Sequence, residues 1–487
     1  MLTKAVMRIG DCGADKNLPL NRMTVRNSNW ISMLSLLSLC AGIQMLTSCG
    51  GGSATKTIQP PPSKLVWTWE AGPIDPSGTG TYGTLGVASP QNLPAAHFSA
   101  ACQMDASGNF WLFSGNGPSA QTQWPNDLWK YSNGEWTWMS GAYISNEQGS
   151  YGTLGVASKQ NQPPGRIFAA SWVDAQGNFW IFGGGNQLYL NDLWKFTPSS
   201  GEWAWMGGPS QPNQSAPGIY GTMGQPSPNN LPGPRIGAAN WTDQQGNFWL
   251  YGGIGNDAVG SVGYLLGDMW RYANGEWTWM GGSNIAGPSP IYGTQGVPDA
   301  ANTPGARFEP ASWTDAQGNF WLFGGLSVDA NLQEVYHNDL WEFSKGKWAW
   351  ISGSDMANQP PSYGTQTQPA PTNVIGARTN PQVWVDVQGN FWFFGGDGLD
   401  PSGSTIQVGL LNDLWKFDLS SGEWTWMSGN DFLNAIGSWG TLGVPSRQNA
   451  PESRSGSCGW TDASGNLWLF GGGTEAGDHN DLWKYTP

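Results

Sequence analysis

An eight-residue phrase, Gly-Asn-Phe-Trp-Ile-Phe-Gly-Gly at 177–184, returns with small changes at 108–115, 246–253, 318–325, 389–396 and 465–472. A long and regular period means an array of equivalent units, and it has to be settled before any local reading. Each unit reads as four short strands. In the second, residues 166–174 form a strand with small residues at its centre, and 174–178 form a tight turn built on Asp174 and Gly177. Residues 178–184 are an aromatic run closed by two glycines; 191–196 and 202–206 follow as a third and a fourth strand. Both faces of such a sheet are apolar, so each must be covered on both sides. Stacking the sheets around an axis achieves this, which predicts an all-β, six-bladed propeller with four antiparallel strands per blade.

Of the 32 tryptophans, 29 fall in repeat register, so they are read as packing groups rather than as chemistry. The ordered part opens on a lone fourth strand around Trp67 and Trp69 and ends on a lone third strand around Trp483. The N-terminal strand therefore completes the last blade and closes the ring, leaving no unfinished edge. The formal charge of −14 excludes nucleic acid as a partner, which would need a basic stripe.

Residues 1–48 read as an export leader: Arg22 and Arg26 precede an apolar run from Trp30 to Leu46. Met23 would give a leader of more usual length than Met1. Leu46-Thr47-Ser48-Cys49 resembles the bacterial lipobox, which implies lipidation at Cys49, a membrane connection through that anchor alone, and an outer-membrane or surface location. Residues 49–64 form a Gly/Ser/Pro-rich tether, and 65–487 the propeller.

An apolar strand ending in Gly-Gly, a variable loop, then Asn191-Asp192-Leu193-Trp194 and a tryptophan in the next strand together resemble the Kelch repeat, over about residues 65–487. The chain is similar to bacterial Kelch-repeat lipoproteins, within the galactose-oxidase-like propeller family. Its period is longer than usual for Kelch, the excess being a loop that carries Tyr-Gly-Thr, as at Tyr151-Gly152-Thr153; Trp439 replaces the tyrosine in the sixth. These long loops are expected beside the variable loops on one face. Ile254–Gly267, Leu326–His337 and Asp397–Leu411 are the longest variable loops and mark the expected ligand face.

Arg166, Arg235, Arg307, Arg378 and Arg454 recur at the start of the innermost strands, with His97 in the same slot of the first. Two readings stand: a cationic ring for a carboxylate or phosphate, or ties that bond the carbonyls of adjacent loops. In animal Kelch domains arginines at matching positions bind acidic peptides, and the resemblance implies the same here. Glu309, Asn380 and Gln382 replace small or apolar residues in the channel. They are candidate ligand-binding groups, with Glu309 the candidate acid.

The aspartates three residues before each phrase, such as Asp174, resemble a sialidase Asp-box with altered spacing and read as turn caps; those opening the third strands, such as Asp192, read as loop-to-strand caps. His97, His337 and His479 fall in different blades and form no ligand pair, so neither a metal nor another cofactor is expected. Cys102 and Cys458 lie on neighbouring inner strands, offset by one residue from each other in repeat register. Their side chains are expected to point oppositely and to remain two buried thiols.

These features describe a monomeric exported module that binds a protein, peptide or glycan. Resemblance implies an enzymatic alternative, a carbohydrate-active enzyme of the Kelch mutarotase or sialidase type acting on an acidic sugar.

Overall fold

A computed structural model describes residues 64–487 apart from 77, 118–123, 143–148, 212, 214 and 401–406. The leader, Cys49 and nearly all of the tether lie outside the described residues. Every regular element among the described residues is a β-strand. The second unit shows the plan: Ala170–Val173, Phe179–Phe182, Leu193–Thr197 and Glu202–Gly207 lie side by side in chain order, all antiparallel. Trp172 stands opposite Trp180, and Phe196 opposite Trp203. The other units repeat this, and the architecture is that of antiparallel four-strand sheets consistent with a β-propeller.

The tight turns follow from side-chain chemistry. Asp174 Oδ1 accepts the backbone N–H groups of Gln176 and Asn178, and its Oδ2 accepts the Asn178 amide and the Trp180 indole N–H, each at 2.8 Å. Asp105, Asp243, Asp315, Asp386 and Asp462 repeat the pattern. One carboxylate thus fixes the turn and the first tryptophan of the second strand, as a turn cap should.

Alternation along the second strand covers both faces of the sheet. Phe179 and Ile181 pack with Trp111 and Phe113 of the preceding unit, whereas Trp180 and Phe182 pack with Phe248 and Leu250 of the following one. The inner strands touch in succession: Ala101–Met104 meets Ala170–Val173, then Ala239–Thr242, Ala311–Thr314, Gln382–Val385 and Cys458–Thr461, which meets Ala101–Met104 again. A second circle lies within this one. The N–H groups of Phe168, Gly237, Glu309, Asn380, Gly456 and Ser99 donate in turn to the carbonyls of Ser99, Phe168, Gly237, Glu309, Asn380 and Gly456, at 2.9–3.4 Å. All six residues have positive φ, from 49° at Glu309 to 63° at Gly456, a conformation that disfavours side chains and holds here because each residue serves two neighbours.

The first described strand, Val66–Ala71, pairs antiparallel with the last, Gly477–Thr486, setting Trp67 opposite Tyr485 and Trp69 opposite Trp483. This is the pairing expected from the unmatched strands at the two ends.

The Tyr-Gly-Thr loops are not gathered at one face. Each runs along the outermost strand of its own sheet: Gly86 and Ser89 donate to the carbonyls of Trp138 and Trp136, and the Asn92 amide donates to Trp136 O at 2.9 Å. Equivalent bridges join Ser158 to Trp203, Ser227 to Trp277, Asp299 to Trp348, Ala370 to Trp424 and Ser446 to Trp67. The extra length covers the exposed strand edge, which would otherwise template aggregation.

The cysteine expectation is corrected: Cys102 and Cys458 form a disulfide, with Cα atoms 6.1 Å apart. The offset by one residue was read with the wrong sign. Neighbouring sheets meet through opposite faces, so two side chains touch across the gap only when they point oppositely relative to their own sheets.

Candidate functional site

The repeated arginines begin the inner strands, as expected, but their guanidiniums turn into the protein. Arg235 is fully buried. It donates to both oxygens of Asp268 at 2.7 and 2.8 Å, and to the carbonyls of Gly252 and Gly233 at 3.0 and 3.1 Å. Asp268 also accepts the Tyr220 hydroxyl at 2.6 Å and the Trp270 indole at 2.7 Å. One aspartate thus collects the inner strand through Arg235, the edge loop through Tyr220 and the third strand through Trp270. Arg166–Asp192 and Arg378–Asp413 are built the same way, and Arg454–Asp481 shares the guanidinium and indole bonds. Burial alone would raise the Asp268 carboxyl, but Arg235 and the two other donors bring it below its ordinary value. Asp127, Asp192, Asp268, Asp339, Asp413 and Asp481 were read as loop-to-strand caps; they are buried acceptors at the centre of these clusters.

Three units depart from the pattern. In the first, His97 takes the arginine slot and its Nε2 stands 3.6 Å from Asp127 Oδ2. In the fourth, Arg307 reaches Asp339 through Nη2 only, at 2.6 Å, leaving Arg307 Nε and Asp339 Oδ1 unpaired. Beside them His337 binds Ser327 Oγ at 2.7 Å; burial first, then Arg307, push its imidazole down to about 3. In the sixth, the Trp439 ring packs on Trp483 with centroids 5.0 Å apart, in place of a tyrosine hydroxyl.

Glu309 and Asn380 belong to the central backbone circle. The Asn380 amide donates to Ser99 Oγ at 3.2 Å and to Glu309 Oε1 at 3.4 Å. Gln382 lies further along its strand, bonded to Val383 O at 2.7 Å and packed toward Gly459, so it does not join them. Solvent still touches the half-buried Glu309, yet protein surrounds it closely. Burial, then the nearby Asp397, hold it well above the usual carboxylate range. Asp397 is itself raised by burial, and Asp478, which accepts the Asn116 amide at 3.0 Å, is pushed up by burial to about 6. Against this polar side stand Phe98, Phe168 and Phe308, with successive ring centroids 5.7 and 5.8 Å apart.

Asp397, Asn116 and Asp478 were missed from the sequence. Asp397 and Asn116 directly follow the glycine-rich end of the second strand, where other units place Gly185, Ile254, Leu326 and Gly473; aligning that slot across the units would have exposed both. The variable loops at 326–337 and 397–411 contain hairpins, Leu326–Val328 with Glu334–Tyr336 and Asp397–Leu399 with Val408–Leu410. Among the described residues no group of three or more His, Cys, Asp or Glu side chains is arranged to hold a metal ion.

No protein-family model matches the chain, and no curated protein sequence matches it. Among solved structures it is similar to YjhT, at 12% identity over 80% of this chain and 95% of that one, TM-score 0.46. It is also similar to a fungal alcohol oxidase of the AA5 family in complex with copper, at 14% identity over 84% of this chain and 77% of that one, TM-score 0.41. Likenesses at these scores carry no argument about what this chain binds.

Proposed function

We propose that the chain is an exported, lipid-anchored Kelch-type propeller of six blades, closed by its N-terminal strand, that binds a ligand at the mouth of its channel. The circular succession of inner strands and the pairing of the first strand with the last support the ring. A disulfide suits an oxidising compartment and so supports export; the lipid anchor, the outer-membrane or surface location and the monomeric state rest on the sequence reading.

One observation carries the binding reading: the repeated arginines are buried in ion pairs, while the groups that break the repeat, Glu309, Asn380 and Asp397, gather at the channel. The arginines serve the scaffold. The mouth offers carboxyls and amides to the ligand, set against half-buried phenylalanines, and so favours a neutral or cationic group over an acidic one.

The enzymatic alternative keeps one favourable feature: Glu309, whose carboxyl is raised by burial and by Asp397, stands near that second carboxyl as a candidate proton donor to a sugar oxygen. Among the described residues the five arginines nearest the channel, Arg166, Arg235, Arg307, Arg378 and Arg454, are all buried in ion pairs, so none of them is free to clamp an acidic sugar. The test is a glycan and peptide array probed with wild-type protein and with Glu309→Gln/Asn380→Ala. Binders whose affinity falls roughly tenfold or more in the variant support the mouth as the site. Equal binding by both proteins removes it.

A further inference from the structure

The loop-bearing face has a charge pattern that the composition conceals. The structure assigns this face, at the fourth and fifth units, as a docking surface for a cationic polypeptide segment with apolar side chains. This rests on the reading of the chain as a binding module and names the partner that module takes.

The apolar component comes first. Met356, Phe432 and Ile436 are 67%, 51% and 86% exposed, on the loops that follow the fourth and fifth sheets. Those loops are held firmly. Asn358 exchanges hydrogen bonds with Tyr336 of one hairpin, and Asn434 with Leu410 of the other. Leu433 packs toward Gly409, which ties the loop carrying Phe432 and Ile436 to the hairpin that carries Val408, itself exposed. A groove of about 530 Å³ starts at Asp355, next to Met356, and runs along the outer edges of the fourth and fifth sheets to Gly422 and Glu423, with Trp350, Gln359 and Pro360 among its walls. Large apolar side chains displayed on ordered loops beside a groove mark an interaction site rather than scattered surface residues.

Charge selects the occupant. Glu334, Asp355, Asp431 and Glu475 are exposed on this face. Among the described residues no unpaired cation on this face answers them. Arg166, Arg235, Arg307, Arg378 and Arg454 are buried in ion pairs. Lys130, Lys195, Arg271, Lys416 and Lys484 lie in the sheets against second-strand indoles, 5.3–6.0 Å from the ring centres. Lys345 and Lys347 belong to a turn at the opposite end of the sheets, Lys159 and Arg447 to edge-covering loops, and Lys64 precedes the first strand. Residues 118–123, 143–148 and 401–406 contain no lysine or arginine. A face with one sign of charge attracts its opposite and rejects its like, and the apolar residues then require a partner that is more than a polycation.

The test is fluorescence anisotropy on the full chain with three short labelled peptides: lysines interspersed with leucines, lysines alone at equal charge, and aspartates interspersed with leucines. The mixed basic peptide is expected to bind, the lysine-only peptide roughly tenfold more weakly, and the acidic one not at all. Glu334→Gln/Asp355→Asn/Asp431→Asn and Phe432→Ser/Ile436→Ser should each weaken the mixed peptide about tenfold. Glu135→Gln/Glu202→Gln/Glu276→Gln, the same charge change on the opposite face, should leave binding intact. Equal binding of the two basic peptides, or equal loss in the opposite-face control, overturns the proposal. So does silence toward the mixed peptide while array binders at the channel mouth persist, an outcome that spares the module reading; silence toward both ligands removes both.

Discussion

Replacing Arg235 by methionine should unbalance one of the fully bonded arginine–aspartate clusters. The substitution keeps the unbranched aliphatic stem and deletes the guanidinium. Asp268 would remain buried, still receiving Tyr220 and Trp270 but with no cation. Breaking a buried pair from one side costs about 3–5 kcal/mol. Gly233 and Gly252 also lose a donor, each adding about 1 kcal/mol or more. A loss of roughly 5 kcal/mol is comparable with the whole stability of many domains. The double variant Arg235→Met/Asp268→Leu removes the uncompensated charge but strands the Tyr220 hydroxyl and the Trp270 indole. Its deficit should fall below that of the single variant without vanishing.

Guanidinium unfolding followed by tryptophan fluorescence reads these differences, with the slope checked for a change in cooperativity. pH supplies a second test. In the wild type the depressed Asp268 carboxyl contributes stability that is present above its unfolded value and lost as pH falls. In Arg235→Met the same carboxyl should be raised, so its stability is lost as pH rises. The deficit should therefore shrink between pH 8 and pH 5. A deficit under about 1 kcal/mol, or one independent of pH, would refute the view that these arginines bind the scaffold together.

Tyr220→Phe removes one hydrogen bond to the same carboxylate and should cost about 1.5–3 kcal/mol, with faster proteolytic nicking of the edge loop around 215–231. Reducing the Cys102–Cys458 disulfide, or Cys102→Ser/Cys458→Ser, frees a loop with a sequence separation of 356. The loop-entropy upper limit is near 6 kcal/mol, read as a lower denaturation midpoint that reductant does not lower further in the double serine variant. Asp478, raised to about 6, stabilises the fold below its unfolded value near 3.8 and loses that contribution as pH climbs through 6. Asp478→Asn should therefore be more stable than wild type at pH 8, by about 3 kcal/mol at most, and equal to it at pH 4 in thermal melts.

The sheets were legible because their signal is local and repeated: Asp174, Gly177 and the alternation of Phe179 to Phe182 specify turn, strand and facing in one short phrase. The closing strand was legible because Trp67 and Trp69 had no preceding partners. What Arg235 does was not legible, because its acceptor Asp268 and its neighbour Tyr220 stand on other segments and meet only in the folded sheet. Cys102 and Cys458 failed for a different reason. Their alternation was read correctly within each strand, but the way two stacked sheets face each other was left out. Glu309 and Asn380 stood out as breaks in a repeated strand, whereas Asp397 opens a variable loop, where a polar residue stands out only once that slot is aligned across the units.

The seam between first and last units has a consequence in time. The Ser99–Gly456 link, the Cys102–Cys458 bond and the pairing of Val66–Ala71 with Gly477–Thr486 all join the first described unit to the last. The first two wait for Gly456 and Cys458, and the third for the last strand. Until then Phe110 and Leu112, whose partners include Trp460 and Phe470, face no sheet. A nascent chain therefore carries an open apolar flank for nearly the whole of its synthesis, and ribosome-stalled chains lacking the last two strands should be the species that chaperones hold.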